Sequence, residues 1–144
     1  MKILLPVDGS EAALEAVRHA LRLLREGLRA SLVLATVQEP TYLYEMVLAP
    51  DSNVLEKVTG AVGGRALQAA EALLNAAGVN FEREIGSGEA APTLIGIAER
   101  HACDGIILGA RGLGALRAAL LGSVSQAVLA ASKVPVTIVK VPAA

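Results

Sequence analysis

The chain has 144 residues, 53% hydrophobic and 19% charged, with Lys+Arg 13 against Asp+Glu 14 and a net charge of −1. This is the size and composition of one ordinary domain with a buried core, and charges scattered rather than grouped in runs argue against a nucleic-acid surface. No apolar run reaches the ~18 residues of a membrane span and no charged leader precedes "MKILLPVDGS", so a soluble, cytoplasmic protein without membrane attachment is expected.

"KILLPV" (2–7) is a short apolar run stopped by "DGS", the pattern of a strand covered on both faces. Ser10 is a plausible N-cap for the helix that follows, in which Leu14, Val17, Leu21, Leu24 and Leu28 fall at helical spacing and Gly27 stands near the end. His19 lies beside its polar side, where a solvated histidine is expected. "SLVLATV" (31–37) repeats the strand signal, and the irregular "QEPTYLYEMVLAPDSN" follows it. In that segment Tyr42, Tyr44 and Met46 form either a flap or a packed loop, and the packed loop is the expectation, because such loops bury their own apolar groups. Residues 54–78 read as a helix weakened around Gly60, Gly63 and Gly64, with Gly78 as its stop.

"VNFEREI" (79–85) alternates apolar and polar residues, as a strand near a sheet edge would. Pro92 suits the first turn of the helix "PTLIGIAERHA". "GIILG" (105–109) is a fourth strand, "SVSQAVLAAS" (123–132) a fourth helix and "VPVTIVKV" (134–141) a fifth strand. Strands joined by helical crossovers require a parallel sheet with helices on both faces, Rossmann-like in outline, as a single domain over 1–144. The lone cysteine, Cys103, cannot form an intramolecular disulfide and reads as a small buried hydrophobe. Two histidines without a second cysteine or a carboxylate cluster assemble neither a zinc site nor a catalytic triad.

Ligands of open parallel sheets bind beyond the carboxyl ends of the strands, where the connections reverse direction. The first strand runs into "VDGS" and the fourth into "GARG", and these ends meet if the two strands are neighbours. Gly109 and Gly112 would then let backbone pass close to a ligand. Gly122, Ser123, Val124 and Ser125 open a helix whose amino end offers N–H groups, positive potential and two hydroxyls to a phosphate. The alternative is that the two glycines only turn the chain and Ser123 only caps the helix. "GLGALR" lacks the third glycine of the dinucleotide fingerprint, and "GARGLGAL" has no Gly-Lys-Ser/Thr ending, so it is not a P-loop.

The spacing Gly109, two residues, Gly112, nine residues, Gly122-Ser123, together with "ILLPVDGSEAALEAV" and "VPVTIVK", resembles the ATP-binding kind of universal stress protein. The resemblance implies five parallel strands in the order 3-2-1-4-5. It also implies that Pro6, Val7 and Asp8 line the adenine and ribose side and that Val37 offers backbone to the base edge. Gly109 and Gly112 would run along the ribose and phosphates, with Gly122, Ser123, Val124 and Ser125 holding the phosphates and Arg111 as an added contact. Mg²⁺ would be held mainly through the phosphates. Thr36 stands where many members carry a histidine.

Hydrolysis needs a positioned water and a stabiliser of phosphoryl charge, and no general base besides Asp8 is evident. A regulatory, stress-response nucleotide binder with at most slow ATP hydrolysis or autophosphorylation is therefore expected. A true ATPase or nucleotide-transferring enzyme, and a nucleotide-free dimeric module, are the alternatives. The last strand, with Val136 and Ile138, would be a weakly protected edge suited to pairing with its copy in a homodimer.

Overall fold

The computed structural model of the chain describes residues 1–39, 52–111 and 121–141, and of 52–62 the backbone alone. Gly112 and the segment with Tyr42, Tyr44 and Met46 lie outside these residues. Five strands, β1 (Lys2–Pro6), β2 (Ser31–Gln38), β3 (Phe81–Ser87), β4 (Gly105–Gly109) and β5 (Val136–Val139), alternate with helices α1 (Glu11–Arg25), α2 (Ser52–Ala76), α3 (Ala90–Arg100) and α4 (Ser123–Ala131). The sheet is wholly parallel, in the order β3-β2-β1-β4-β5. Both the expected class and the expected strand order are found.

The period-two alternation of the strands sorts the core into two layers. Ile3, Leu5, Val7, Leu32, Leu34 and Ile107 face α1 and α2, meeting Ala13, Ala16, Val17, Leu67, Ala70 and Leu74. Leu4, Val33, Ala35, Ile106 and Leu108 face α3 and α4, meeting Leu94, Ile97 and Val128. The apolar runs of β1 and β2 are continuous because both their faces are covered.

Along α1 the fully covered stripe is Ala12, Ala13, Ala16, Val17 and Ala20, while Leu14, Leu21, Leu24 and Leu28 pack around it half-buried. Small side chains at the centre let the helix backbone come down onto β4. A Cβ added at Gly109 would stand 2.7 Å from the carbonyl carbon and oxygen of Ala12 and 3.1 Å from its Cβ. Glycine at this position is therefore required by the packing of a helix, apart from any ligand or turn.

Several boundaries differ by one or two residues from the sequence expectation, and in two strands the cause is plain. β3 begins later and continues through Gly86 and Ser87, which pair with Val37 and Gln38, because backbone pairing needs no apolar side chain. β5 covers only Val136–Val139, since its one partner, β4, is itself five residues long. β3 is an edge strand, as its alternation implied. Its Glu84 pairs with Arg100 and accepts from His101 Nε2 at 2.9 Å, while Glu82 lies 3.1 Å from His101 Nδ1 and 3.3 Å from Lys2 Nζ. Partial burial alone would raise the Glu84 carboxyl, but hydrogen bonds from His101 and Arg100 and their charge outweigh it and hold it below the ordinary carboxylate range.

Two outcomes follow from this packing. Gly109→Ala forces backbone against backbone and is expected to cost about 1–3 kcal/mol in denaturant unfolding, without any ligand present; an unchanged midpoint contradicts the close α1–β4 approach. The Glu84 contribution to stability is complete above the ordinary carboxylate value of about 4 and is lost as pH falls through the depressed value of the folded state. Urea titrations over a pH series should therefore show Glu84→Gln less stable than wild type at neutral pH, with the gap closing in acid; a gap that is constant with pH contradicts the linkage.

Candidate functional site

The ladder between β1 and β2 runs from Lys2↔Ser31 to Pro6↔Ala35, and that between β4 and β5 from Ile106↔Val136 to Gly109↔Val139. Between β1 and β4 it consists of Ile3↔Gly105 and Leu4↔Ile106 and stops there. The cause is local. Val7 N–H donates to Ala35 O at 2.8 Å, so odd residues of β1 point their backbone groups at β2, and Leu4 and Pro6 point theirs at β4. Pro6 has no N–H to donate, so the ladder cannot pass it. The two central strands are thereby left unzipped at their carboxyl ends, at the point where connections leave in opposite directions.

Beyond Pro6 the chain turns tightly. Val7 is buried on the α1 side, with its N–H spent on Ala35. Asp8 is exposed and its Oδ1 accepts from Ser10 N–H at 2.9 Å, Gly9 takes φ +88°, and Ser10 Oγ accepts from Ala13 N–H at 3.2 Å. The turn role weighed for Asp8 is thus present, and the amino end of α1 is capped by its own sequence.

The other side is built differently. β4 leads through buried Gly109 and Ala110 to half-buried Arg111. The chain returns at Gly122, whose N–H donates to Ala110 O at 2.7 Å. Gly122 is the N-cap of α4, with φ −69° and ψ 161°, and contributes no side-chain cap. Ser123 and Val124, in the first turn, are exposed, whereas Ser125 is 3% exposed and its hydroxyl donates to Gly109 O at 2.7 Å. The first-turn N–H groups and the positive end of the helix dipole thus open beside the unzipped strands, and this donor set suits an anion.

The structure brings Pro6, Val7 and Asp8 together with Gly109, Arg111, Gly122, Ser123, Val124 and Ser125 on one edge of the sheet. Val37 lies farther along that edge, near the end of β2, half-buried on the α3 side and paired with Gly86. Ala12 and Ala110, missed in the sequence, act through backbone, and no side-chain pattern marks them. Among the described residues no group of three or more His, Cys, Asp or Glu could hold a metal ion. At the opposite edge a shallow concavity is lined by Ala98, Cys103, Ile106 and Val134. Burial pushes the Cys103 thiol up, away from the reactive thiolate.

Comparison with known proteins gives this arrangement a context. The chain is 28% identical over 141 residues to universal stress protein MJ0531 of Methanocaldococcus jannaschii, covering 98% of this chain and 82% of the relative. It superposes on the solved structure of the hypothetical protein MJ0577 with a TM-score of 0.82 at 26% identity, covering 99% of this chain and 97% of that one. It also matches a universal stress protein solved in complex with cAMP, at a TM-score of 0.70 and 27% identity over 99% and 98% of the two chains. A sequence profile of the universal stress protein family matches residues 1–140, and the chain belongs to that family.

Proposed function

We propose that this protein binds ATP with Mg²⁺ in the gap between β1 and β4, and that binding serves a regulatory role in a stress response rather than rapid turnover. The observation that carries the proposal is the amino end of α4, which lacks a side-chain cap and stands at the unzipped strand ends. In this reading the phosphates lie against the N–H groups of Ser123, Val124 and Ser125, with Gly122 leaving room and Arg111 adding charge. Pro6, Val7, Asp8 and Val37 border the ribose and base. A helix amino end contributes about 0.3–2 kcal/mol to holding an anion, so several weak contacts must combine. Mg²⁺ would be carried chiefly by the phosphates, since the one carboxylate at the end of β1, Asp8, already has an oxygen engaged by the Ser10 amide. No general base besides Asp8 is evident among the described residues of this edge, and hydrolysis is slow. The cAMP complex of a 27%-identical relative supports a nucleotide as the ligand class.

Assembly is part of the same proposal. β5 is an edge strand whose Val136, Ile138 and Val139 are only half-buried and whose Thr137 is exposed. Antiparallel pairing with a second copy would satisfy both edges about one two-fold axis. The protein is taken to act as a cytoplasmic homodimer, with neither nucleic acid nor membrane as partner.

Gly122→Asp tests the site without threatening the fold, because aspartate is a good N-cap at these backbone angles while placing a negative charge where the phosphates would lie. Calorimetry should show ATP binding to wild type and none to the variant; equal affinities remove α4 from the site. Ile138→Pro should convert the dimer to monomer in sedimentation equilibrium by deleting an edge N–H; a wild-type monomer at micromolar concentration refutes the dimer, and a dimer indifferent to the substitution moves the interface elsewhere.

A further inference from the structure

The alternation within β4 fixes where the Gly109 carbonyl points. Ile106 N–H donates to Pro135 O at 3.0 Å and Ala110 N–H to Val139 O at 2.8 Å, so even residues face β5 and Gly105, Ile107 and Gly109 face β1. The β1 ladder has already ended at Leu4↔Ile106, and no ladder bond from β1 reaches Gly109. A buried carbonyl in that position requires another donor. The described residues supply one from sixteen positions along the chain: the Ser125 hydroxyl, 2.7 Å from Gly109 O and buried. Together with Gly122 N–H on Ala110 O at 2.7 Å, it ties the end of β4 to the start of α4.

We propose that Ser125 is a positioning residue, whose hydroxyl satisfies the Gly109 carbonyl beyond the end of the β1–β4 ladder and so locks the amino end of α4 to the end of β4. Its proton is spent on a backbone carbonyl, and the hydroxyl is not a phosphate donor. What Ser125 offers the ligand is its backbone N–H and the fixed direction of the helix. The functional consequence rests on the nucleotide reading given above; the lock itself does not.

The test uses the full chain without nucleotide, so that failure of the lock is distinguishable from failure of the nucleotide reading. By amide hydrogen exchange, Ser125→Ala should exchange the Gln126 N–H, bonded to Gly122 O at 3.0 Å, about tenfold faster than wild type. Ser125→Thr, which keeps the hydroxyl, should restore protection. Equal protection in wild type and Ser125→Ala, or a threonine variant as fast as alanine, overturns the proposal. The wild-type protein alone gives a second measurement, should Ser125→Ala fail to fold. The lock requires a slowly exchanging Ser125 hydroxyl proton, with a nuclear Overhauser contact to Gly109 or Ala110, and its absence in spectra that resolve other buried hydroxyls overturns the lock. Where ATP does bind wild type, Ser125→Ala should weaken AMP and ATP by the same factor; a loss confined to ATP assigns the hydroxyl to the phosphates and contradicts the proposal.

Discussion

One missing hydrogen atom organises this molecule. A parallel sheet of five strands would zip along its whole length if every residue could donate, and each of the five strands is tied along most of its length to at least one neighbour. At Pro6 the donor aimed at β4 does not exist, and the central ladder stops two residues short of the end of β1. Everything at that edge adapts to the interruption. The backbone beyond Pro6 turns through Asp8 and Gly9, and past the end of the ladder the Gly109 carbonyl is satisfied by a serine from another helix.

The two helices that begin at this edge differ for the same reason. α1 is finished locally, with Ser10 bonded to Ala13 N–H and Glu11 complementing the dipole in its first turn. α4 begins with glycine, has no acidic residue in its first turn and no side-chain cap. A helix amino end leaves N–H groups that need partners, and α1 meets much of that need internally. α4 leaves it to something else, and a phosphate is a chemical group that answers it with both charge and acceptor oxygens.

The fold was legible in the sequence because its signals are redundant: continuous apolar runs in β1 and β2, alternation in β3, and turn residues after each. The strand order was legible through the family likeness, and the helical crossovers alone indicated a parallel sheet. What could not be read was backbone recognition. Nothing in "GARG" says that Gly109 makes room for Ala12, because that contact joins residues far apart in sequence through atoms every residue possesses. Serine beside a helix amino end reads as a phosphate contact, and the sequence carries no sign of its bond to Gly109 O. The alternation of donors that directs its hydroxyl to Gly109 becomes visible only when β4 is placed between β1 and β5. Likewise the leucines of α1 looked like its buried stripe, whereas close packing on β4 favours the smaller alanines.

The central claim is that the unzipped end of β1 and β4, faced by the amino end of α4, is where a nucleotide binds. Amide chemical-shift mapping of the wild-type protein during titration with ATP and Mg²⁺ addresses it most directly. The account predicts that the largest changes fall on Val7 to Gly9, on Gly109 to Arg111 and on Gly122 to Ser125, and that they saturate together. Saturable changes centred elsewhere, such as the concavity around Cys103 and Val134, or no changes at millimolar ATP, would contradict it.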